Sequence, residues 1–561
     1  VAGMASLEVL DAASGQPLPG MIVDGDPQAF RLSQGGMHLL QWRVRVTEAI
    51  PALLFRLRAQ AGGLSDVAEY RAPVFADQQY VATSVPMMIP GKSTRRFFVE
   101  TDIQPEYLPV ATGKETINLE FSSHPAWYAV RALQELAQPR FGDTREIFYR
   151  YAGQWLGRFT VGQSPRLAQW LAACSAAADS MCESWADPAP DDAAAVRELL
   201  ERQDESGGFV PFPGLAPSRD LTRQVVTHWG RLQQDYDAAP HEEMTGAMTA
   251  ALAYLDQQIK QDYERLTRNA FNTRADNLGE QQIQYLYMRS FFRDIPRSYG
   301  SQIAYDYYFN QTRLYWKQQP PALRAMIALI LYRNGEAGVA RQILQSLRRQ
   351  AQQDETRGIF WDISPGDGES MSRVAWHALL MEAFWEIDAN AAEVEQMSLW
   401  LLAQRRGTGW QAPESTFAAA SVLLMTGKSW LQEREAREGE FSQLEVSDAH
   451  LSEQALETGS GLYYQSAWKP TADAVQSGSI VVRQAGESTV WGSLSLRSLE
   501  ANGVSGSLPV SIERSFFLIP EGKGPLRRLE PPFRLRPGDR VKVQIRLRTD
   551  KTLYQVQLQT A

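Results

Sequence analysis

Apolar and polar residues alternate with a period of two in the first 123 residues of the chain. In LLQWRVRV at 39–46, apolar residues alternate with one glutamine and two arginines, and LLFRLRAQA at 53–61 repeats the pattern. A period of two places every second side chain on the same face of a β-strand. Because turn-forming segments separate the alternating runs, residues 1–123 are predicted to form antiparallel β-sandwich structure.

The period changes to that of a helix between residues 124 and 427. In ALRAMIALILYRNG at 322–335, apolar residues recur at the i, i+3, i+4, i+7 and i+8 spacing of an amphipathic helix, which ends at Asn-Gly. A second helical pattern follows at once, at 336–350. Two helices on so short a link are predicted to pack as antiparallel neighbours, and residues 391–427 repeat the arrangement.

Short loops that combine glycine with an aromatic residue recur between the helix pairs. They are SGGFVPF at 206–212, RGIFWDI at 357–363 and GTGWQAP at 407–413. About a dozen paired helices, with such loops gathered at one end, predict an α/α toroid with an inner and an outer ring; a solenoid is less favoured because the repeat is loose in length. The loop aromatics are expected mainly to fill gaps between helices.

Strand patterns return after residue 427. They lie at 479–484, 488–498, 509–519, 541–548 and 553–559, and the chain stops two residues after the last of them. From this ending we expect the terminal β domain to be truncated. The helical segment is therefore predicted to interrupt β structure rather than to follow it.

Composition narrows the functional classes. The 561 residues predict about three or four domains, and 44% hydrophobic with 22% charged residues is typical of a globular chain. The net charge of −9 and the lack of a dense Lys/Arg cluster argue against nucleic acid as a partner. The sequence has neither an apolar run long enough to span a membrane nor a signal-peptide pattern, so we expect no direct membrane insertion. Because it begins with valine, we expect a cytosolic protein, a mature protein or a piece of a longer one.

The two cysteines, Cys174 and Cys182, lie in one alanine-rich segment. Two helical turns separate such residues by about 12 Å, which is too far for a disulfide. We interpret them as two small buried thiols rather than as a bridge or a metal pair. Cysteine usage therefore leaves the redox compartment open.

Motifs for cofactors and metals are incomplete. IPGKST at 89–94 resembles the end of a phosphate-binding loop, but Pro86 stands where that loop needs glycine. The six histidines are scattered, and HEEM at 241–244 lacks the second histidine of a zinc helix. His228 and His377 could meet in space, although we interpret both as hydrogen-bonded structural residues. No cofactor and no metal site is therefore predicted.

One acidic cluster keeps a second function open. Asp362, Asp367 and Glu369 follow Phe360 and Trp361, and glycosidases use two carboxylates that flank the bond they cleave. Helical toroids also include isoprenoid cyclases, but no D-x-D-D acid motif is present. A toroid glycosidase or lyase acting on envelope glycans is the alternative hypothesis.

Several longer segments resemble the bacterial alpha-2-macroglobulin family. HPAWYAVRAL at 124–133 is similar to the entry into the family's thioester-type helical domain, where N-P-A-W-Y-A-V-Q-A-L is typical. The resemblance continues in QQIQYLYMRSFFRDIP at 281–296 and in WLLAQRRGTGWQAPESTFAAASVLL at 400–424. It extends to DAASGQPL at 11–18 and to LRPGDRVKVQIRLRTDKTLYQVQL at 535–558. It therefore covers nearly the whole chain.

The resemblance implies a multidomain α and β fold, with antiparallel β-sandwich macroglobulin-like domains flanking an α/α toroid that is the thioester-type helical domain. The domains expected are a partial macroglobulin-like domain at 1–75, the first part of an interrupted β domain at 76–123, the toroid at 124–427, the second part of the interrupted domain at 428–475, and a truncated macroglobulin-like domain at 476–561.

The same resemblance assigns a special position to two acidic residues. Thioester-bearing members follow the first helix with P-Y-x-C-x-E-Q, whose Cys and Gln condense into an internal thioester. Aligned without gaps, the Cys position falls on Asp143, the Glu position on Arg145 and the Gln position on Glu146. A thioester needs a thiol, so this chain is expected to belong to the thioester-lacking branch. Asp143 is instead predicted to be a helix N-cap, with Glu146 completing a capping box.

The function that the resemblance implies is that of an endopeptidase inhibitor or envelope-defence module, which acts without a covalent thioester and is not an enzyme. The expected partners are proteases or envelope proteins, together with upstream macroglobulin domains of the same chain. The expected location is the periplasm or cell surface, and a membrane anchor would lie in a segment that precedes this one. No catalytic, cofactor or metal residue is assigned.

Overall fold

The structure is a computed structural model that divides into two compact units, residues 1–81 with 499–552, and residues 82–498 with 553–561. The described residues are 1–12, 15–24, 26–33, 38, 40–46, 52–74, 78–98, 116–136, 143–177, 192–236, 242–268, 273–355, 357–362, 371–405, 409–410, 412–433, 444–447, 457–459, 463–468, 479–501, 510–519, 526–529 and 540–549.

The first unit contains a four-stranded antiparallel sheet in the order β3-β1-β5-β6. The strands of residues 1–81 that lie wholly in this unit are β1 (Ala2–Asp11), β2 (Ile22–Asp24), β3 (Gln28–Arg31), β4 (Arg43–Val44), β5 (Ala52–Ala61) and β6 (Leu64–Pro73). Gly62 and Gly63 join β5 to β6 with positive φ angles of 58° and 82°, a two-residue hairpin turn that glycine favours. Val9, Met21 and Leu53 form the buried hydrophobic cluster of this part of the first unit.

The strand predicted over residues 39–46 is much shorter in the structure. Only Arg43 and Val44 pair, as β4 against β2, and the register shifts between Ile22 and Asp24. The Trp42 indole Nε1 instead donates to Asp26 Oδ1 at 3.2 Å. The predicted strand was too long. Alternation shows that one face of a segment is apolar and the other polar, but the length of a strand depends on how far its hydrogen-bonded partner strand extends.

Three further strands of the first unit form a separate sheet in the order β18-β17-β19. They are β17 (Val510–Ile519), β18 (Arg527–Leu529) and β19 (Arg540–Thr549). The ten residues of β17 pair with those of β19 in continuous antiparallel register, from Val510 opposite Thr549 to Ile519 opposite Arg540. The strand predicted at 553–559 lies outside the described residues.

The second unit contains two antiparallel sheets, in the orders β13-β14-β9-β16-β7 and β12-β15-β8. Their strands are β7 (Gln78–Ile89), β8 (Ser93–Phe98), β9 (Thr116–Ser122), β12 (Leu444–Ser447), β13 (Glu457–Gly459), β14 (Tyr463–Trp468), β15 (Ser479–Gln484) and β16 (Val490–Ala501). One hydrophobic cluster takes Phe121 and Leu494 from the larger sheet and Val482 from the smaller. Strands before and after the helical segment therefore share a core.

This pairing places a boundary differently from the expectation at 475/476. β15 pairs with β8, and β16 pairs with β9, so residues 479–501 lie in the same sheets as strands that precede the helices. The reason is that alternation identifies a strand but does not identify its partner.

Fourteen helices are described between the two groups of strands. They are α1 (Ala126–Leu136), α2 (Thr144–Gln163), α3 (Pro165–Ala177), α4 (Asp192–Leu200), α5 (Arg219–Tyr236), α6 (Glu242–Arg268), α7 (Glu280–Ser290), α8 (Tyr299–Tyr315), α9 (Pro321–Arg333), α10 (Ala337–Arg348), α11 (Arg373–Asp388), α12 (Ala391–Ala403), α13 (Pro413–Thr426) and α14 (Lys428–Gln432). A 3-10 turn at Trp316–Gln318 follows α8, and a hairpin of β10 (Gln352–Asp354) and β11 (Gly358–Phe360) follows α10.

Contacts between these helices form a closed circuit. α2 contacts α5, α5 contacts α7, α7 contacts α9, α9 contacts α11, α11 contacts α13, and α13 contacts α2 again. A helix outside the circuit packs against most of its members: α4 against α2, α6 against α5, α10 against α9 and α12 against α11. The antiparallel pairing predicted for the helices of 322–350 corresponds to the contact between α9 and α10.

Helix α9 is buried on nearly every side, which the amphipathic pattern did not predict. Its buried residues include the apolar stripe and also Arg324 and Arg333. Arg324 bonds Ser346 Oγ at 2.9 Å on α10. A helix with neighbours on both sides and behind it has little solvent face, so polar residues on it must find partners inside the protein.

The glycine-aromatic loops fill gaps between helices, as expected. Phe209, Trp361 and Trp410 are all buried. The Trp361 indole donates to the Leu347 carbonyl at 3.0 Å, and the Trp410 indole donates to the Leu401 carbonyl at 2.7 Å. Each indole therefore satisfies a carbonyl at or near the end of a neighbouring helix.

Within the described residues, no helix has both the length and the apolar character that crossing a membrane requires.

Candidate functional site

The start of α2 carries the two acidic residues that the resemblance places at the thioester. Asp143 has the extended backbone of an N-cap, with φ −74° and ψ 161°, and its Oδ1 accepts the Glu146 N–H at 2.8 Å. Its carbonyl also accepts the Ile147 N–H at 3.0 Å. The predicted N-cap is confirmed: this side chain satisfies one of the amide donors that a helix start leaves open.

The first residue of the helix fixes this start against a glycine-aromatic loop. Thr144 is buried, and its N–H donates to the Pro211 carbonyl at 3.1 Å. Its hydroxyl donates to the Val210 carbonyl at 2.6 Å. The Asp143 position is therefore held by its own cap and by the contacts of Thr144 with the loop at 210–211.

The two cysteines lie elsewhere along the chain. Cys174 belongs to α3, and Cys182 lies outside the described residues. The side chain of Cys174 is also outside the described part, so their interpretation as buried thiols stays a prediction. Position 143 itself carries a carboxylate and no sulfur.

A cavity of about 210 Å³ opens beside this helix start. All six helices of the circuit contribute to its lining, represented by Arg145, Thr227, Tyr287, Met326, Leu379 and Glu414. Arg145, Glu414 and Asp220 stand in the first turns of their helices. The cavity therefore lies where several of the helices begin, inside the closed circuit.

His228 lies in the wall of this cavity among aromatic rings. Its ring centroid is 4.7 Å from Phe417 and 5.7 Å from Tyr149. Burial lowers the pKa of His228 well below its usual value, and the positive charges of Arg231, Arg223 and Arg145 add to the effect. The imidazole is therefore neutral at neutral pH, and the fixed positive charge around it belongs to the arginines.

A buried ion-pair network crosses the circuit next to the cavity. Glu382 accepts hydrogen bonds from Arg333 Nη2 at 2.8 Å and from the Tyr287 hydroxyl at 2.7 Å, and it is ion-paired with Arg231. Arg333 also bonds Glu386 at 2.6 Å. These residues come from α5, α7, α9 and α11, so the network connects four helices of the circuit.

Sequence reasoning missed this network. The available signal was a glutamate in the middle of the apolar run ALLMEAFW at 378–385. A buried carboxylate needs partners, but the three partners of Glu382 lie 49, 95 and 151 residues away along the chain, and no local pattern identifies them.

His377 does not share the surroundings of His228. Its Nε2 bonds the Met397 carbonyl at 2.9 Å, and its ring lies 4.3 Å from Trp400. Burial lowers its pKa to about 4. The hydrogen bond of His377 is the one expected of a structural histidine, whereas His228 Nδ1 has no hydrogen-bond partner among the described residues. The described residues contain no group of three or more His, Cys, Asp or Glu side chains that could hold a metal ion.

The acidic cluster proposed for glycan cleavage is only partly described. Asp362 is exposed, while Asp367 and Glu369 lie outside the described residues. Phe360 and Trp361, the aromatic residues expected to stack on a sugar, are buried instead. Ring faces that pack into the core offer no surface to a glycan, so this observation does not favour the alternative.

A second cavity, of about 520 Å³, lies between the helices and the sheets of the second unit. His124, Trp430 and Glu395 contribute to its lining. The His124 ring stacks on Trp430 with centroids 5.5 Å apart, and its Nδ1 accepts the Ala126 N–H at 3.1 Å at the start of α1. Burial lowers the pKa of His124 to about 4 and raises the pKa of Glu395.

This arrangement of strands and helices is similar to that of bacterial alpha-2-macroglobulins. The structure of Salmonella alpha-2-macroglobulin reacted with methylamine matches 92% of this chain at 14% identity, with a TM-score of 0.51. A mutant of the same Salmonella protein matches 92% of the chain at 13% identity, also with a TM-score of 0.51. This chain spans only 30% of the length of each of those chains.

The similarity is one of fold. No protein-family model matches the chain, and no curated protein matches its sequence. The described structure is thus a mixed helical and antiparallel-sheet fold of the macroglobulin-like kind.

Proposed function

We propose that this chain is the C-terminal portion of a macroglobulin-like protein that acts as a protease inhibitor or envelope-defence module without a covalent thioester. One observation carries the proposal: at the position that the resemblance assigns to the thioester cysteine, Asp143 caps helix α2. An acyl-sulfur bond cannot form there because the nucleophile is missing. Any hold on a protease is then non-covalent.

The finer features of the fold belong to the same proposal. We infer that the closed circuit of six helices is the inner ring of an α/α toroid, with α1, α4, α6, α8, α10 and α12 outside it. The two sheets that share the cluster of Phe121, Val482 and Leu494 would be the interrupted β domain. The strands before β7 would belong to a macroglobulin-like sandwich.

The pairing of the buried charges in the helix circuit is relevant to whether the chain is an enzyme. The buried charges of the circuit are paired with one another, as Glu382 is with Arg231 and Arg333. Such a network stabilises an arrangement of helices and occupies the Glu382 carboxylate with counter-ions. Burial lowers the pKa of Arg223, and the two acidic side chains that line the cavity, Asp220 and Glu414, lie close enough to oppose that effect, so they too act as counter-ions. We therefore propose that the chain is not an enzyme. Its proposed partners are proteases or envelope proteins and upstream macroglobulin domains, in the periplasm or at the cell surface.

Labelled methylamine tests the absence of the thioester. The chain is incubated with isotope-labelled methylamine, and incorporation is located by peptide mass spectrometry, with Salmonella alpha-2-macroglobulin as the positive control. No label is expected at Glu146. Label on Glu146 would contradict the proposal.

A variant in which the thioester residues are restored is compared with the native chain in the same methylamine experiment. Asp143→Cys, Arg145→Glu and Glu146→Gln together put the thioester residues back at the aligned positions. Uptake of label by this variant, but not by the native chain, would show that these positions retain the geometry of the site.

The inhibitor role needs a second experiment. The chain, together with its proposed upstream domains, is mixed with a labelled protease and separated by gel filtration and then by a denaturing gel. Native co-elution followed by release of the protease in denaturant is expected. Lack of co-elution would refute the inhibitor role, and an adduct that survives denaturant would refute the non-covalent mode.

A further inference from the structure

The cavity inside the helix circuit contains hydrogen-bond donors that the protein itself does not satisfy. Arg223 and His228 line it and are both more than nine-tenths buried. Among the described residues, Arg223 Nε and His228 Nδ1 have no hydrogen-bond partner, and neither has Arg145 Nε. Burial of an unpaired polar group costs about 1–3 kcal/mol, and more for a charged one. Such donors call for an acceptor inside the cavity.

Two acidic side chains, Asp220 and Glu414, line the cavity, and neither accepts a hydrogen bond from Arg145 Nε, Arg223 Nε or His228 Nδ1. Asp220 accepts from Arg223 Nη2 at 3.3 Å and from Gln281 Nε2 at 2.9 Å, which leaves Arg223 Nε unsatisfied. Glu382 is bonded to Arg231, Arg333 and Tyr287. Arg231 therefore has an anion on one side, whereas Arg145 and Arg223 face the cavity with donors to spare.

Helix geometry adds positive potential at the same place. Arg145 in α2, Asp220 in α5 and Glu414 in α13 are first-turn residues, and Ala375 is in the first turn of α11. A helix N-terminus carries about half a positive charge and open amide donors. The carboxylates of Asp220 and Glu414 offset part of this potential, but four helix starts together with the Arg145 and Arg223 guanidinium groups still favour a negatively charged occupant.

The cavity also limits the size of the occupant. Its volume of about 210 Å³ is below the roughly 300–1,000 Å³ of pockets for drug-sized ligands. Met326, Leu379 and Ala418 supply an apolar part of its wall. The space fits a phosphate ion or a short carboxylate.

We propose that this cavity is a binding site for a small oxyanion, held by Arg145, Arg223 and the imidazole of His228. The guanidinium groups provide charge-assisted hydrogen bonds, which are about twice as strong as neutral ones. The site lies beside the capped start of α2 and is separate from any role of the chain toward proteases, so it stands or falls independently of that role.

Thermal unfolding and calorimetry test the site. Tm and binding isotherms are measured with sodium phosphate and with sodium acetate, each against sodium chloride at matched ionic strength. A saturable rise in Tm with a matching isotherm is expected for one of the two anions, because a ligand that binds only the folded state stabilises it. The anion that acts identifies the occupant as a phosphate or a carboxylate.

Variants locate the site. Arg223→Gln and Arg145→Gln are each expected to weaken binding at least about tenfold, the loss of one charge-assisted hydrogen bond. Arg341→Gln is the control, because that side chain on α10 is 58% exposed and lies outside the cavity lining. Circular dichroism confirms that each variant is folded.

Two results would overturn the proposal. Absence of saturable binding by either anion in the native chain means that the cavity holds only water. Equal binding in Arg223→Gln, Arg145→Gln and Arg341→Gln means that the ion binds elsewhere. The measurement on the native chain does not depend on the folding of any variant.

Discussion

Asp143 and Glu382 are both acidic residues in helical segments, yet only the first could be interpreted from sequence. Asp143 accepts the backbone N–H of the residue three positions further on, and an aspartate directly before a helical run is visible in the sequence. The contribution of the Glu146 side chain to a capping box stays a prediction. Glu382 takes its role from Arg231, Tyr287 and Arg333, which the fold brings to it from other helices. Local chemistry is visible in a sequence, whereas a buried network depends on tertiary packing.

Replacement of Asp143 by alanine should remove the cap of α2. We expect Asp143→Ala to lower the free energy of unfolding by about 1 kcal/mol, because the Glu146 amide loses its acceptor. Asp143→Asn should retain most of the stability, since asparagine caps almost as well. Urea unfolding of the three proteins measures the difference; equal stability of the alanine variant and the native chain would contradict the cap.

Loss of the Glu382 charge should be much more damaging. Glu382→Gln leaves Arg231 and Arg333 buried with one fewer counter-ion, and we expect a loss of about 3–5 kcal/mol. Glu336→Gln is the control, because its partner Arg313 is 44% exposed and such pairs contribute about 0–1 kcal/mol. Urea unfolding measures both variants. A similar, small loss of stability in the two would show that the ion-pair network contributes little to the stability of the fold.

Elements were predicted well where neighbouring residues determine them, and less well where packing does. The helix predicted at 322–335 is present as α9, Pro321–Arg333, but it is buried on nearly every side because α7, α10 and α11 all contact it. The strand expected at 39–46 shrank to Arg43–Val44, since its pairing partner is only three residues long. Periodicity predicts whether a segment is a helix or a strand. How exposed and how long the element is depends on the other elements that pack against it.

Three histidines make stability pH-dependent through the elements they join. His124 accepts the Ala126 amide at the start of α1, and His377 bonds a carbonyl of α12. Burial lowers the pKa of each from 6.5 to about 4, and that of His228 falls in the same direction. The unfolded state therefore binds more protons, and stability should fall as pH drops from 6.5 towards 4.

The expected loss from His124 and His377 is about 3 kcal/mol each by pH 4. Unfolding free energies measured across this pH range test it, with His377→Asn as the comparison. Because the variant lacks the His377 imidazole, it takes up one proton fewer on unfolding, and its unfolding free energy should change less steeply with pH than that of the native chain. An unchanged slope would mean that His377 titrates alike in the folded and unfolded states.

At the scale of the whole chain, the sequence predicted that helices interrupt a β region, and the pairing of β15 with β8 and β16 with β9 agrees with this order. The position of the later boundary could not be predicted, because a strand pattern contains no information about a partner nearly 400 residues away. The cavity in the helix circuit was not predicted either, since its lining comes from six separate helices.

A substitution at Gly91 tests the contact between the strands that precede the helices and the segment that follows them. Gly91 sits in the turn between β7 and β8, where Lys92 N–H donates to the Gly486 carbonyl at 2.8 Å, and a Cβ at Gly91 would overlap the Glu487 carbonyl. We expect Gly91→Ala to cost about 1–3 kcal/mol. Gly338→Ala in α10 is the control, because a Cβ there meets nothing within 4 Å and alanine favours helix. Thermal unfolding compares them; a neutral Gly91→Ala would contradict the contact.

Thiol titration with intact mass spectrometry tests the central claim, that no sulfur of this chain is held in an acyl bond. The chain is denatured without prior exposure to amines or reductants and treated with a thiol reagent. We expect both cysteines, Cys174 and Cys182, to react and the untreated mass to equal the value calculated from the sequence. One reactive thiol, together with a mass lower by one ammonia for a bond to a glutamine or by one water for a bond to a glutamate, would reveal an internal thioester and refute this expectation.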